Sequence, residues 1–92
     1  MNLTDKTAII TGGTRGIGFA IAKALCEAGT SVMICGRNKD SIVKAVNLLK
    51  VSGVASGIQC DVTDYDEVRA MMQATKKKFG SIDILINNAG VA

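Results

Sequence analysis

The chain has 92 residues, 48% of them hydrophobic, and a formal net charge of +3. This length fits one small domain, and no apolar run approaches the roughly 18 residues that span a bilayer. The slight charge favours neither nucleic acid nor a membrane surface as a partner. Histidine is absent, which excludes mixed His/Cys zinc sites and Ser-His-Asp or Cys-His mechanisms within these residues.

The three cysteines indicate a reducing compartment. They are Cys26, Cys35 and Cys60, an odd number that cannot all pair within the chain. No two of them form a C-x-x-C motif, and each stands among apolar residues. This usage is typical of small buried hydrophobes rather than of disulfides or metal ligands. The N-terminus lacks the basic start and small-residue cleavage site of a signal peptide. We therefore expect a cytoplasmic protein.

Strand-like and helix-like segments alternate along the whole chain. In order they are a strand at Thr7–Thr11, a helix at Gly16–Ala28, a strand at Ser31–Cys35, a helix at Lys39–Leu49, a strand at Ala55–Cys60, a helix at Tyr65–Phe79 and a strand at Ile82–Ile86. Alternation of this kind predicts right-handed crossovers and a parallel sheet. The predicted fold is α/β, a Rossmann-type doubly wound parallel sheet with the strand order 3-2-1-4.

The predicted helices carry start and stop signals. Asn38 or Asp40 can cap the second helix, and Thr63 or Asp64 can cap the third. Glycines follow the helix ends at Gly29, Gly53 and Gly80. Lys76–Lys78 close the third helix, where cations suit the negative end of its dipole, and we prefer this interpretation to nucleic-acid binding.

A glycine-rich turn, TGGTRGIG at residues 11–18, joins the first strand to the first helix. Such turns bind phosphates because the helix start offers free N–H groups and glycines allow close approach. Gly12, Gly16 and Gly18 give the spacing G-x-x-x-G-x-G, and an ATPase-type loop fails because Phe19 and Ala20 replace its Lys and Ser/Thr. The turn predicts a dinucleotide site; the alternative is a tight connection without a ligand.

The end of the second strand indicates which dinucleotide is bound. Sites that prefer NAD place an acid there for the ribose 2′-hydroxyl, whereas this strand ends in Gly36 followed by Arg37. An arginine binds a 2′-phosphate with its charged fork, and Arg15 can approach the same phosphate from the turn. Two arginines without an acid predict NADP(H). The alternative is that both are solvated surface residues.

The ends of the third and fourth strands complete the predicted site. Asp61 can accept a hydrogen bond from the adenine amino group while Val62 packs on the ring, or Asp61 merely helps to start the third helix; both interpretations stay open. The segment Asn87–Gly90, NNAG, offers amides and small residues to a ribose. Taken alone, this segment is also typical of an ordinary turn.

Together, TGGTRGIG, CDV and NNAG resemble motifs of the short-chain dehydrogenase/reductase family, in order and across all 92 residues. The segment FGSIDILINNAG is similar to the 3-oxoacyl-carrier-protein reductases and their NADP-using relatives. The resemblance implies a set of cofactor-binding residues: Gly12, Thr14, Arg15, Gly16, Ile17 and Gly18 at the pyrophosphate and nearby ribose, Arg37 at the 2′-phosphate, Asp61 and Val62 at the adenine, and Asn88, Ala89 and Gly90 on the ribose side.

The resemblance further implies an oxidoreductase that transfers a hydride between NADP(H) and a carbonyl or alcohol, with a 3-oxoacyl thioester as one candidate substrate, in a homo-oligomer. In the family the catalytic Ser and Tyr-x-x-x-Lys follow the NNAG motif. Here the only tyrosine, Tyr65, precedes Arg69 by four residues, so no residue is named catalytic. We expect residues 1–92 to be the N-terminal dinucleotide-binding part of a longer domain and to be inactive alone. The alternative is a complete nucleotide-binding or interaction module without turnover.

Overall fold

A computed structural model describes residues 3–88, in which strands and helices alternate as predicted. The elements are β1 (Thr7–Thr11), α1 (Gly16–Glu27), β2 (Ser31–Gly36), α2 (Lys39–Leu49), β3 (Ala55–Gln59), α3 (Tyr65–Phe79) and β4 (Ile84–Asn87). All strand pairs are parallel and the order is β3-β2-β1-β4. The predicted fold class and strand order are confirmed.

The helices cover both faces of the sheet, because alternate residues of each strand point to opposite sides. On one face Ile10 belongs to a core cluster with Ala22 of α1 and Leu49 of α2. On the other face Ile9 belongs to a cluster with Met71 of α3. This double burial explains why the strands are continuous apolar runs rather than alternating ones.

Five predicted bounds differ from the structure by one or two residues: α1 ends at Glu27, β2 ends at Gly36, β3 ends at Gln59, and β4 both starts and ends later than predicted, at Ile84–Asn87. The start of β4 is displaced because Asp83 pairs with Thr7 partly through its side chain. The Thr7 backbone N–H donates to Asp83 Oδ2 over 2.9 Å. A carboxylate thus replaces a backbone carbonyl, and the regular ladder starts one residue later, with Ile84 beside Ala8.

The helix caps resolve the alternatives left by the sequence. The Asn38 side chain accepts from the backbone N–H of Ser41 over 3.0 Å and caps α2. The Asp64 carboxylate accepts from the first-turn N–H groups of α3. Gly80 ends α3 with a φ of 90°, and Lys76–Lys78 lie in its last turn, as predicted.

Cys26, Cys35 and Cys60 are buried and free, which confirms their interpretation as small core residues. Burial raises the pKa of Cys35 to about 11. Within residues 3–88 no group of side chains is arranged to hold a metal ion. The helices of the same region are too short or too polar to cross a membrane.

Candidate functional site

The parallel strands end at one edge of the sheet, and the predicted site residues within positions 3–88 lie at or near these ends. Backbone and side-chain bonds tie these ends together. The Gly12 N–H donates to the Cys35 carbonyl over 3.0 Å, and the Cys60 N–H donates to the Gly36 carbonyl over 2.9 Å. The Asn88 N–H donates to the Thr11 hydroxyl over 2.8 Å. The glycine turn is therefore held against the ends of β2 and β4.

The three glycines of the motif are needed for different reasons. Gly12 and Gly16 have φ values of 67° and 62°, in the left-handed region that side chains disfavour. Gly18 is instead needed for space. A Cβ atom there would overlap the carbonyl oxygen of Gly12 and lie 2.7 Å from Asn88 Nδ2. The turn can therefore pass close to the start of α1, as a phosphate-binding turn requires.

The start of α1 differs from the starts of the other two helices. Its N-cap residue, Arg15, makes no side-chain cap hydrogen bond and is followed by no acidic residue in the first turn. In α2 and α3, the side chains of Asn38 and Asp64 accept hydrogen bonds from the corresponding N–H groups. The first-turn N–H groups of α1 have no carbonyl acceptors within their own helix. The exposed Ile17 side chain stands beside them.

The turn also rests against the end of β2. A Cβ atom at Gly36 would lie 3.2 Å from Thr14 Cγ2, a tighter contact than side chains normally make. Arg15 directly follows Thr14 and Arg37 directly follows Gly36, so the two arginines flank this contact. A side chain at position 36 would require the Thr14 methyl group to move by a few tenths of an ångström.

Arg37 has an acidic neighbour that its own strand does not supply. Its Nη2 lies 3.6 Å from Asp61 Oδ1, with the two side chains 75% and 40% exposed. The sequence suggested no acid here because the acid comes from the end of β3, which pairs with β2. An exposed pair at this distance contributes little stability, and a 2′-phosphate can compete with Asp61 for the guanidinium.

Asp61 shapes the turn before α3 without capping that helix. Its Oδ1 accepts from the Thr63 hydroxyl over 2.6 Å and from the Thr63 N–H over 2.9 Å. These bonds hold the pKa of the Asp61 carboxyl below its usual value, with a smaller contribution from Arg37. The structural role of Asp61 is thus supported by contacts, while its contact with adenine stays a prediction. Val62 packs against the core cluster beside α3.

The asparagines at the carboxyl end of β4, Asn87 within the strand and Asn88 after it, hold the glycine turn. Thr11 Oγ1 donates to Asn87 Oδ1 over 3.2 Å, and Asn88 Nδ2 donates to the Gly12 carbonyl over 3.3 Å. The predicted bond from an asparagine amide to backbone is therefore present, and the bond to a ribose stays a prediction. Ala89 and Gly90 lie outside the described residues.

Two contributing residues were missed by the sequence analysis. Thr11, only 5% exposed, links the ends of β1 and β4; its signal was a polar residue that ends an apolar strand. Gln59 Nε2 donates to the Arg37 carbonyl over 2.9 Å, a contact that no local pattern indicates. Tyr65 does not join the site: it is 76% exposed in the first turn of α3.

Comparison with known proteins places these features in a family. Residues 6–92 match the family model described as short chain dehydrogenase. A 3alpha-hydroxysteroid dehydrogenase of Mediterraneibacter gnavus is 41% identical over 95 aligned positions, covering 100% of this chain and 38% of that protein. An uncharacterized oxidoreductase of Staphylococcus aureus is 44% identical over 88 positions, covering 96% of this chain and 38% of that protein.

Solved structures agree with the sequence relatives. A hydroxysteroid dehydrogenase from Escherichia coli superposes with a TM-score of 0.92 at 39% identity, covering 97% of this chain and 38% of that chain. The RhlG/NADP active-site complex of Pseudomonas aeruginosa superposes with a TM-score of 0.90 at 36% identity, covering 99% and 37%. The chain thus spans less than two fifths of the length of these relatives. By sequence and by fold, this chain belongs to the short-chain dehydrogenase/reductase family.

Proposed function

We propose that these residues bind the adenosine-diphosphate side of NADP(H) in an oxidoreductase that reduces a carbonyl or oxidises an alcohol. The family uses nicotinamide cofactors and its members act on small molecules. The observation that carries the choice of NADP(H) is that Arg15 and Arg37 flank the contact between Thr14 and Gly36, where position 36 holds no acid. Arginine forks suit the doubly charged 2′-phosphate.

Several features of this chain support binding of the cofactor. The uncapped start of α1 offers backbone N–H groups to the pyrophosphate, and the left-handed Gly12 and Gly16 shape the turn that leads to it. We assign Thr14, Ile17 and Gly18 to the same part of the cofactor, Asp61 and Val62 to the adenine, and Asn88, Ala89 and Gly90 to the ribose side. When bound, the nicotinamide supplies or accepts the hydride; these residues bind and orient the other half of the cofactor.

We further propose that residues 1–92 are the N-terminal dinucleotide-binding part of a longer domain. The relatives are more than twice as long as the aligned region. The exposed Tyr65, followed by Arg69 rather than Lys, is unsuited to proton transfer at a carbonyl. Catalysis is therefore assigned to a serine and a Tyr-x-x-x-Lys pair outside these residues.

The substrate is proposed as a class. The names of two relatives favour a hydroxysteroid, and the resemblance of residues 79–90 to 3-oxoacyl-carrier-protein reductases favours a 3-oxoacyl thioester. Both are alcohol or carbonyl compounds, so the reaction is the same. We also propose a cytoplasmic homo-oligomer; the three free, buried thiols fit a reducing compartment.

The cofactor preference is tested by titrating NADPH and NADH into the protein that carries this chain, as wild type and as Arg37→Asp. Hydrogen bonds between charged groups are worth about 1.5–3 kcal/mol, so the variant should lose roughly 10- to 100-fold in NADPH affinity and come to prefer NADH. The matched control is Arg69→Asp, which makes the same charge change at an exposed position of α3. Equal affinity of the wild type for both cofactors would contradict the proposal.

A further inference from the structure

Arg37 is attached to the neighbouring strand through its backbone. Gln59, the last residue of β3, is exposed, and its Nε2 donates to the Arg37 carbonyl over 2.9 Å. The last backbone bond between the two strands runs from the Cys60 N–H to the Gly36 carbonyl, also over 2.9 Å. The Gln59 amide therefore continues the pairing of β2 and β3 by one residue, as far as Arg37.

The bond from Gln59 to the Arg37 carbonyl acts as a tether between Arg37 and the neighbouring strand. Arg37 lies between Gly36, which ends β2, and Asn38, whose side chain is occupied in capping α2. Across the sheet, the Arg37 guanidinium meets Asp61 at 3.6 Å. Gln59 and Asp61 are two residues apart, and this spacing puts side chains of an extended segment on the same side.

The backbone bond is the shorter of the two attachments, at 2.9 Å against 3.6 Å for the ion pair. The pair between Arg37 and Asp61 is long and its arginine is 75% exposed, so it restricts the guanidinium weakly. The bond from Gln59 has ordinary amide geometry. It fixes the carbonyl of Arg37 and, with it, the direction in which the side chain leaves the sheet.

We propose that Gln59 is a positioning residue for recognition of the cofactor's 2′-phosphate. By holding the Arg37 carbonyl it lowers the conformational entropy that Arg37 loses when it binds the phosphate, and so it increases the preference for NADP(H) over NAD(H). NAD(H) lacks the phosphate and gains little from the tether. The inference rests on the proposed binding of NADP(H) by Arg37.

The test is a double-mutant cycle measured by calorimetric titration of NADP⁺ and NAD⁺. The proteins are the wild type, Gln59→Met, Arg37→Ala and the double variant, each containing the complete chain. Gln59→Met keeps the length of the side chain and removes the donor. We expect it to lower the ratio of NADP⁺ to NAD⁺ affinity by roughly three- to tenfold, the worth of one hydrogen bond, with NAD⁺ affinity changed by less than about twofold.

The cycle separates positioning from general stabilisation. If Gln59 acts through Arg37, Gln59→Met changes nothing further in the Arg37→Ala background. Gln73→Met, at an exposed position on α3, is the matched control and should leave the ratio unchanged. Gln59→Asn keeps the amide on a shorter side chain, and it replaces Gln59→Met if circular dichroism shows that the methionine variant is unfolded.

Three results would overturn the inference: an unchanged ratio in Gln59→Met, an equal loss of both cofactors, or additive losses in the double variant. A wild type without preference for NADP⁺ refutes the proposed function and removes the preference that Gln59 would support. A wild type that prefers NADP⁺, combined with an unchanged ratio in the Gln59 variants, overturns the role of Gln59 alone.

Discussion

Gly18→Ala is predicted to damage both the stability of the fold and the binding of the nucleotide. Gly18 is buried in the first turn of α1. The added Cβ would overlap the Gly12 carbonyl oxygen and stand 2.7 Å from Asn88 Nδ2, whereas ordinary contacts begin at 3.4 Å. The asparagine amide must therefore retreat by about 0.7 Å, the difference between these distances. Its 3.3 Å bond to the Gly12 carbonyl cannot survive both displacements.

The expected loss in the free energy of unfolding of Gly18→Ala follows from three contributions. Overpacking costs about 1–3 kcal/mol and a lost hydrogen bond about 1 kcal/mol. Alanine in a helix recovers about 1 kcal/mol relative to glycine. The free energy of unfolding should thus fall by about 2 kcal/mol. Because Gly12 and the start of α1 are the proposed pyrophosphate site, NADPH affinity should fall as well.

Urea unfolding followed by circular dichroism measures the first effect, and NADPH titration measures the second. Gly80→Ala is the matched control: Gly80 has a φ of 90° and open space around its Cα, at the far end of α3. It should cost about 1–2 kcal/mol through backbone strain alone and leave NADPH affinity unchanged. A Gly18→Ala protein as stable as the wild type, with the same NADPH affinity, would refute this account of the turn.

Three further predictions concern turnover, association and pH. The 92-residue chain alone should not oxidise NADPH with 3-ketosteroids or 3-oxoacyl thioesters, and absorbance-detected turnover would overturn the assignment of catalysis to other residues. The same chain should self-associate through β4, which lies at the sheet edge with Leu85 54% exposed; Leu85→Lys should lower its light scattering, and a concentration-independent wild-type monomer would contradict this. The pKa of Cys35, raised from 9.0 to about 11, predicts full stability below pH 9 and a loss as pH rises towards 11, because the unfolded thiol ionises first. Melting temperatures from pH 8 to 11 should therefore fall more steeply for wild type than for Cys35→Ala, and parallel curves would exclude this contribution.

Much of the fold follows from local signals. The bounds of α3 match their prediction because Asp64 and Gly80 satisfy the backbone at its two ends. The parallel sheet follows from the alternation of strands and helices and the handedness of their connections, and the order 3-2-1-4 is the one that doubly wound dinucleotide-binding sheets use. The start of β4 was misplaced because Asp83 pairs with Thr7 through a carboxylate, and a residue pattern does not show which atoms of an aspartate form the bond.

The candidate site was predictable at the level of segments. Its residues are the first to follow parallel strands, and such strands end at one edge of a sheet. Contacts between segments were not predictable in the same way. The bond from Gln59 to Arg37 spans 22 residues of sequence, and the pair of Arg37 with Asp61 depends on two side-chain conformations. Both arise from the pairing of β2 with β3, which fixes neighbours but not rotamers.

The most direct test of the central claim is a crystal structure of the protein with NADP⁺. We expect the pyrophosphate to lie against the backbone of Gly12–Gly18 at the start of α1, and the 2′-phosphate to lie within hydrogen-bonding distance of Arg15 and Arg37. A cofactor bound at another edge of the sheet would contradict it. So would a 2′-phosphate that contacts neither arginine.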